Sequence, residues 1–465
     1  MRRGDHRAAP ALVACGLVVG ALLLPAARAG REAGPEVRVS NLPDPQNEPT
    51  IAIDPSNDRI LLAGSNSFSE GTMRVYSSID GGLTWTVNAV YPKSESREQT
   101  CAADPGVAVD LNGRQYYSFV RSTPCGTGPP KLFVASRPGP DAEWSKPVQV
   151  ASLGRARFDD KPALAADVSP SSPYRNRAYV AWSRISRVGV FSILLSHSDD
   201  GGRTWSRPVK VNSTGRELSY ASVAIGRKGT VYVAWDDISN FHIKIARSID
   251  GGAHFEEERT AAAFSIVTIP HCGSGIVIPA QRLTCVHANP IVSVDRSHGR
   301  YAGRVYVTYA QTEFFGSQGA RVTILNSKLR TLAGYPLTRF GVPIAPQDRG
   351  RRSDQFWPAS AVDVSTGALW VCFYDTRGDR KRKKAVYSCT ISRNGGRNFA
   401  PPVRAASVPS DETQPNADPR EYGDYQGLAV ANGVAHPIWT DSRDLATLGE
   451  EIYTTILTPA DLGLS

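Results

Sequence analysis

Four segments of this chain repeat one eight-residue pattern, and that repetition constrains the fold more than any other feature. They are Ser78-Ile79-Asp80-Gly81-Gly82-Leu83-Thr84-Trp85, Ser198-Asp199-Asp200-Gly201-Gly202-Arg203-Thr204-Trp205, Ser248-Ile249-Asp250-Gly251-Gly252-Ala253-His254-Phe255 and Ser392-Arg393-Asn394-Gly395-Gly396-Arg397-Asn398-Phe399. Each lies between two short apolar runs. The chemistry is that of a tight hairpin: Asp80, Asp200, Asp250 or Asn394 accepts hydrogen bonds from turn amides, and paired glycines adopt backbone angles forbidden to other residues. A terminal Trp or Phe is left to pack under the turn. One copy would fit any β protein; four in register imply an array of similar hairpins.

A second periodicity interleaves with the first. Strand pairs of one character recur near 50–63, 106–120, 163–182, 221–235, 291–309, 359–374 and 427–439. Each joins a strand of small apolar residues, such as Val107-Ala108-Val109, to a richer partner such as Val231-Tyr232-Val233-Ala234-Trp235. A third strand follows, then the Asp–Gly turn or a degenerate one (near Pro138-Gly139-Pro140 and Lys328), then a fourth. Four antiparallel strands per unit describe a β-propeller blade. The expected fold is all-β, a single propeller domain over 30–465 of seven blades, with six as the alternative if one weak unit is an insertion. The seventh unit ends at 451–457 without a fourth strand. The orphan segment Glu36-Val37-Arg38-Val39-Ser40 resembles the fourth strand Pro208-Val209-Lys210-Val211-Asn212 and is expected to close the ring.

The repeated turns resemble the Asp-box, or BNR repeat, of the sialidase (neuraminidase) superfamily, and the first two copies fit its S-x-D-x-G-x-T-W form. The resemblance covers most of the chain. It implies a glycoside hydrolase of exo-α-sialidase type acting on sialic acid or a related acidic sugar, with the Asp-boxes on the face away from the active site. Asp-boxes also occur in propellers without this activity, so a non-catalytic glycan- or protein-binding propeller is the alternative.

The first 29 residues read as an export signal: Arg2, Arg3 and Arg7 precede an apolar core over 11–24, and Ala27-Arg28-Ala29 forms a small-x-small cleavage site. Leu12-Val13-Ala14-Cys15 also matches a lipoprotein box, although most of the apolar run follows the cysteine. A secreted protein is therefore expected, with lipidation at Cys15 as the rival. The apolar core is short for a membrane span. The six remaining cysteines suggest disulfides in an oxidising compartment. Proximity would pair Cys101 with Cys125, Cys272 with Cys285 and Cys372 with Cys389, other pairings remaining open.

The net charge of +9 includes the run Arg380-Lys381-Arg382-Lys383-Lys384. Such a run is usually a solvated loop, or else a patch that attracts an acidic ligand. No basic stripe interleaves with aromatics, so nucleic acid is not expected. No cofactor is required; calcium could bind among rim carboxylates, but no metal-ligand spacing indicates it. A monomer is expected.

In a four-strand meander the start of strand one and the loop between strands two and three share a face. Those positions carry Gln46-Asn47-Glu48, Asp104, Asp159-Asp160-Lys161, Tyr220, Asn289, Asp354-Gln355 and Asp424-Tyr425 at the strand starts. The loops add Arg121, Arg184, Asp236, Asp237, Gln311, Asp375, Arg377, Asp441 and Arg443. A sialidase needs arginines to grip the substrate carboxylate, a tyrosine nucleophile with a carboxylate base, and an acid for the leaving oxygen. By position Arg121, Arg184, Arg377 and Arg443 are candidate clamps, with Asp354, Gln355 and Asp424 as further substrate contacts. Tyr425 is the candidate nucleophile, Glu48 or Glu421 its base, and Asp104 or Asp160 the acid. The Arg-Ile-Pro motif of sialidases is missing; Pro45-Gln46-Asn47-Glu48-Pro49 stands in its place.

Overall fold

The computed structural model describes residues 35–67, 73–90, 101–154, 156–264, 275–313, 316–332, 340–345 and 352–464. The export signal, Cys15 and Cys272 lie outside them. Among the described residues no helix is long and apolar enough to cross a membrane.

Seven four-stranded antiparallel sheets form a propeller. Blade 1 comprises Gln46–Asp54, Asn57–Ser67, Met73–Ser78 and Thr86–Ala89. Blade 2 comprises Cys101–Val109, Gln115–Ser122, Lys131–Arg137 and Val148–Gln149. Blade 3 runs from Ala156–Ala166 to Val209–Lys210, blade 4 from Leu218–Ile225 to Arg259–Ala263, blade 5 from Ile291–Val294 to Val342–Pro343, and blade 6 from Gln355–Val362 to Val403–Arg404. Blade 7 takes Gly427–Ala431, Val434–Asp441 and Glu451–Thr454 from the C-terminal end. Its fourth strand is Val37–Arg38, with Val37 opposite Thr454 and Arg38 opposite Tyr453, so the expected ring closure and seven-blade count both hold.

Burial follows from this arrangement. Second strands are covered on both faces by neighbouring blades and carry near-continuous apolar sequence; Val231–Asp237 and Leu369–Asp375 are buried at every position. Seven separate apolar clusters fill the structure, one for each interface between neighbouring blades. The cluster joining first to last blade contains Ile51, Leu61 and Tyr76 from blade 1, Ile438 and Ile452 from blade 7, and Val39 beside the closing strand. At roughly 25 cal/mol per Å² of apolar surface buried, these wedges and not the turns supply most of the stabilisation.

The Asp–Gly turns join strands three and four of blades 1, 3, 4 and 6. In the first, Asp80 Oδ1 accepts from the Leu83 and Thr84 amides at 3.1 and 3.0 Å, and Asp80 Oδ2 from the Thr84 hydroxyl at 2.6 Å. Ser78 Oγ accepts the Gly82 amide at 2.9 Å, and Trp85 Nε1 donates to Gly82 O at 3.1 Å. The Asp200 turn repeats the aspartate and serine bonds but not the indole one, and the Asp250 and Asn394 turns repeat most of them. Burial is the largest single influence and raises the Asp80, Asp200 and Asp250 carboxyls, but the hydrogen bonds together outweigh it and hold them down at about 2.

Cys101–Cys125 and Cys372–Cys389 are disulfides, as proximity suggested, and Cys285 is also disulfide-bonded. Such bonds fit an extracellular, oxidising setting.

Candidate functional site at the channel mouth

The first strands line a central channel, and six of the seven begin with the same irregularity. Glu48, Asp104, Lys161, Tyr220, Asn289 and Trp357 are the only residues in their six strand starts with positive φ (42–61°), and all but Tyr220 precede proline. In blades 1, 2, 3, 4 and 6 the pairing of strands one and two slips at this point. A bulge of this kind re-aims side chains, and non-glycine residues hold such angles only where surroundings enforce them. Here the result is a ring of polar side chains turned toward the axis. Tyr425 occupies the matching place in blade 7.

Lys161 is the hub. Its ammonium lies 2.5 Å from Asp424 Oδ2, 3.1 Å from Asp104 Oδ1 and 3.4 Å from Glu48 Oε1. The ammonium also stands 5.8 Å above the Tyr220 ring and 5.6 Å above the Tyr425 ring. Glu48 is pinned by the Asp424 amide (3.0 Å) and by Asn66 Nδ2 (2.9 Å), while Asn66 Oδ1 accepts the Asp104 amide at 3.0 Å. Gly423, at φ +72°, must be glycine because a Cβ there would collide with the Glu48 side chain. Asn289 ties the far side together, donating to Asp424 O at 2.8 Å through its side chain and to Asp236 Oδ2 at 3.2 Å through its amide.

These groups divide into neutral and charged acids. Burial, against the opposing pull of Lys161, pushes Glu48 up to about 8. Burial and the Asp104 charge raise Asp160 to about 7. Asp104 moves the other way: its burial is outweighed by Lys161 and by hydrogen bonds from Lys161, Glu48 and Asp160, so it stays ionised. Burial also lifts Asp236 to about 8, leaving Oδ1 buried without a partner. The Tyr425 hydroxyl is likewise buried and has no partner among the described residues, and burial plus the Glu48 and Asp104 charges raise its pKa well above the ordinary value. Below the ring lies a cavity of about 300 Å³, walled by Pro49, Pro105, Pro162, Tyr220, Asn289 and Tyr425 among others. That is the lower end of the volume range of small-molecule sites.

The predicted residues fall into two groups. Glu48, Asp104, Asp160, Asp424 and Tyr425 meet around Lys161. The arginines do not form a common clamp. Arg184 pairs with Asp159 at 2.6 Å, Arg377 with Asp375 at 2.5 Å, and Arg443 with Asp441 at 2.6 Å and with Glu36. Arg121 lies over the Phe133 ring at 4.3 Å. The reason is local: a strand-two arginine reaches a carboxylate of its own blade before it reaches the axis. Asp354 is similarly engaged, by Arg382 at 2.6 Å, and Gln355 Oε1 accepts the Ala320 amide at 3.3 Å. Glu421 cannot serve Tyr425 as base, because its carboxylate clasps the amides of Arg282, Leu283 and Thr284 at 2.7–3.1 Å.

Those amides belong to an element that sequence reading missed. A hairpin of Ile276–Ile278 and Gln281–Val286 between blades 4 and 5 packs on the mouth. Its Gln281 accepts from Trp357 Nε1 at 2.8 Å and donates to Gly423 O at 3.2 Å, and His287 just beyond it stacks on Tyr220 with ring centroids 5.2 Å apart. The recurring X-Pro at strand starts was the available signal for the ring, and Lys161 was its least expected member. Among the described residues no group of three or more His, Cys, Asp or Glu could hold a metal ion.

No family model matches the chain, and no curated protein matches its sequence. Solved structures similar to it include a protein of unknown function from Dyadobacter fermentans, with 16% identity over 74% of this chain and 95% of that one and a TM-score of 0.47. They also include the sialidase of Trypanosoma rangeli in complex with the inhibitor DANA, with 14% identity over 75% of this chain and 54% of that one and a TM-score of 0.44. The chain thus spans about half the length of that sialidase. A third is the α-L-arabinanase of Penicillium chrysogenum complexed with arabinobiose, with 13% identity over 91% and 98% and a TM-score of 0.45.

Proposed function

We propose that the channel mouth around Lys161 is the active site of an exported glycoside hydrolase acting on a sugar without a carboxylate of its own. The observation that carries this reading is the side-by-side placement of an ionised acid, Asp104, and an acid that holds its proton near neutrality, Asp160. Glycoside hydrolysis needs such division of labour between carboxyl groups, and a pKa near 7 suits proton transfer to the leaving oxygen. Asp160 is the general acid. Asp104 or Asp424, on two sides of one ammonium, supplies the negative charge that an oxocarbenium-like transition state requires. Lys161 is already shared by three carboxyl groups, and Arg184, Arg377 and Arg443 are spent within their blades, so among the described residues there is no assembled grip for an acidic sugar.

Sialidase chemistry is the second reading, favoured by the buried, unpartnered Tyr425 hydroxyl beside Glu48. It would require Glu48 to take a proton that burial already makes it keep at neutral pH.

The test is a panel of fluorogenic glycosides, neutral pyranosides and furanosides beside a sialoside, with Asp160→Asn, Asp104→Asn and Tyr425→Phe. Turnover of a neutral glycoside, cut at least 100-fold in both Asp variants and little changed in Tyr425→Phe, supports the proposal. Turnover of the sialoside alone, lost in Tyr425→Phe, establishes the second reading. No turnover of any glycoside, with binding on a glycan array, would mean a binding propeller.

A further inference from the structure

The channel has a second mouth at the opposite ends of the first strands, where each strand turns into the next. There a cavity of about 900 Å³ takes lining residues from all seven blades. Its floor repeats one device: Asp54, Asp110, Asp167, Asp295 and Asp363 each end a first strand and accept the amide two residues on at 2.8–3.0 Å. The residue after that aspartate, or after its blade-4 counterpart Gly226, is Pro55, Leu111, Val168, Arg227, Arg296 or Val364. The ring is thus apolar on one side, with Val364 42% exposed, and carries two adjacent guanidinium groups on the other.

At this mouth the two guanidinium groups lack, among the described residues, the carboxylate partners that seven other arginines have. Arg177, Arg184, Arg247, Arg321, Arg377, Arg382 and Arg443 are all ion-paired. Among the described residues Arg296 has no hydrogen bond or ion pair, and the Arg227 guanidinium bonds only to the His298 ring, at 3.0 Å. Most of the nearby carboxylates are occupied elsewhere, although Asp295 Oδ2 is buried with no partner among the described residues. Asp54 is held by the Ser56 amide and hydroxyl at 2.8 and 2.6 Å, Asp58 by Asn432 at 3.0 Å, and Asp363 by Ser365, Thr366 and the Gly433 amide at 2.7–3.0 Å. Asp167, whose charge reaches Arg296, accepts from the Ser169 amide at 3.0 Å and from Ser172. Burial depresses the Arg296 pKa and the Asp167 charge opposes it, while the side chain stays partly exposed to the cavity.

We infer that this second mouth binds a small organic anion, its carboxylate, sulfate or phosphate head on Arg296 and Arg227 and its apolar body against Pro55, Leu111, Val168 and Val364. A guanidinium fork matches such heads through two parallel hydrogen bonds. The site is a full channel length from Lys161 and independent of the reaction proposed there.

Two fluorescent probes that differ by one group test it: 8-anilino-1-naphthalenesulfonate and its uncharged analogue N-phenyl-1-naphthylamine. The sulfonate should bind the full chain one to one and at least tenfold more tightly than the neutral analogue. Arg296→Gln should weaken sulfonate binding about tenfold or more and leave the neutral analogue unchanged. Val364→Asp, at an exposed position on the same ring, should weaken the sulfonate several-fold more than the neutral analogue, because repulsion adds to the lost apolar contact, and serves if Arg296→Gln does not fold. Equal binding of the two probes, or undiminished sulfonate binding in the folded variants, would overturn the inference.

Discussion

Lys161 Nζ and Asp424 Oδ2 stand 2.5 Å apart although 263 positions separate them in the chain. Blade 3 supplies the cation and the turn into blade 7 the anion, and the channel axis is where they meet. The charge cluster therefore reports on ring closure as well as on chemistry.

Replacing Lys161 by Met should leave Asp104 and Asp424 without their shared counter-charge in a site with little solvent. Breaking a buried pair on one side costs about 3–5 kcal/mol. Urea denaturation at pH 7 should show a loss of that order, smaller at pH 4 where the acids can take up protons.

Glu48 shifts from an ordinary value of 4.5 to about 8, and Asp160 from 3.8 to about 7, so the folded protein retains protons that the unfolded chain has released. Stability linked to these two groups is fully present below pH 4 and is lost as pH rises through 7 to 8. Thermal melts across that window should show falling stability, and Glu48→Gln, which keeps the neutral form, should flatten the slope. A wild-type profile that rises over the same range would contradict the assignment.

The turn aspartates behave in the opposite sense. Asp200, held at about 2 by Thr204, Ser198 and Arg203, contributes stability above the ordinary carboxylate range that is lost as pH falls toward 2. Asp200→Ala should cost about 1–3 kcal/mol at pH 7 by orphaning turn donors. Asp200→Asn should cost less, since Asn394 makes the same amide contact in blade 6. Chemical denaturation of the two variants side by side checks the order.

Deleting residues 36–40 should remove the closing strand and with it Val39, 2% exposed and bonded through its amide to Ile452 O at 2.7 Å. Blade 7 would keep three strands, and Arg443 would lose Glu36. A melting temperature lowered by several degrees is expected, whereas an unchanged one would mean the ring closes without this strand.

The blades were legible because each is specified locally. The Asp80 and Asp200 turns, the apolar second strands and the unpaired segment around Val37 are neighbours in sequence of the strands they serve. The rim was legible only as a set of positions. Glu48, Asp104, Asp160, Asp424 and Tyr425 could be assigned to one face from strand order. Nothing along the chain indicated that Lys161 would hold three of these acids, or that the bulge before Pro49, Pro105 and Pro162 would turn them inward. The arginines illustrate the converse: Arg184 and Arg443 share that face, yet Asp159 and Asp441 intercept them within their own blades.

By itself the amino-acid order determined the repeat, its four-stranded unit and the strand that joins the ends, because backbone turns and alternating burial are short-range constraints; it left the count between six and seven. Only the tertiary structure decided which acid is ionised, which arginines are spent and which is left unpaired. Those outcomes depend on burial and on distances of a few ångströms between residues from different blades, and a ring brings such residues together only after it has closed.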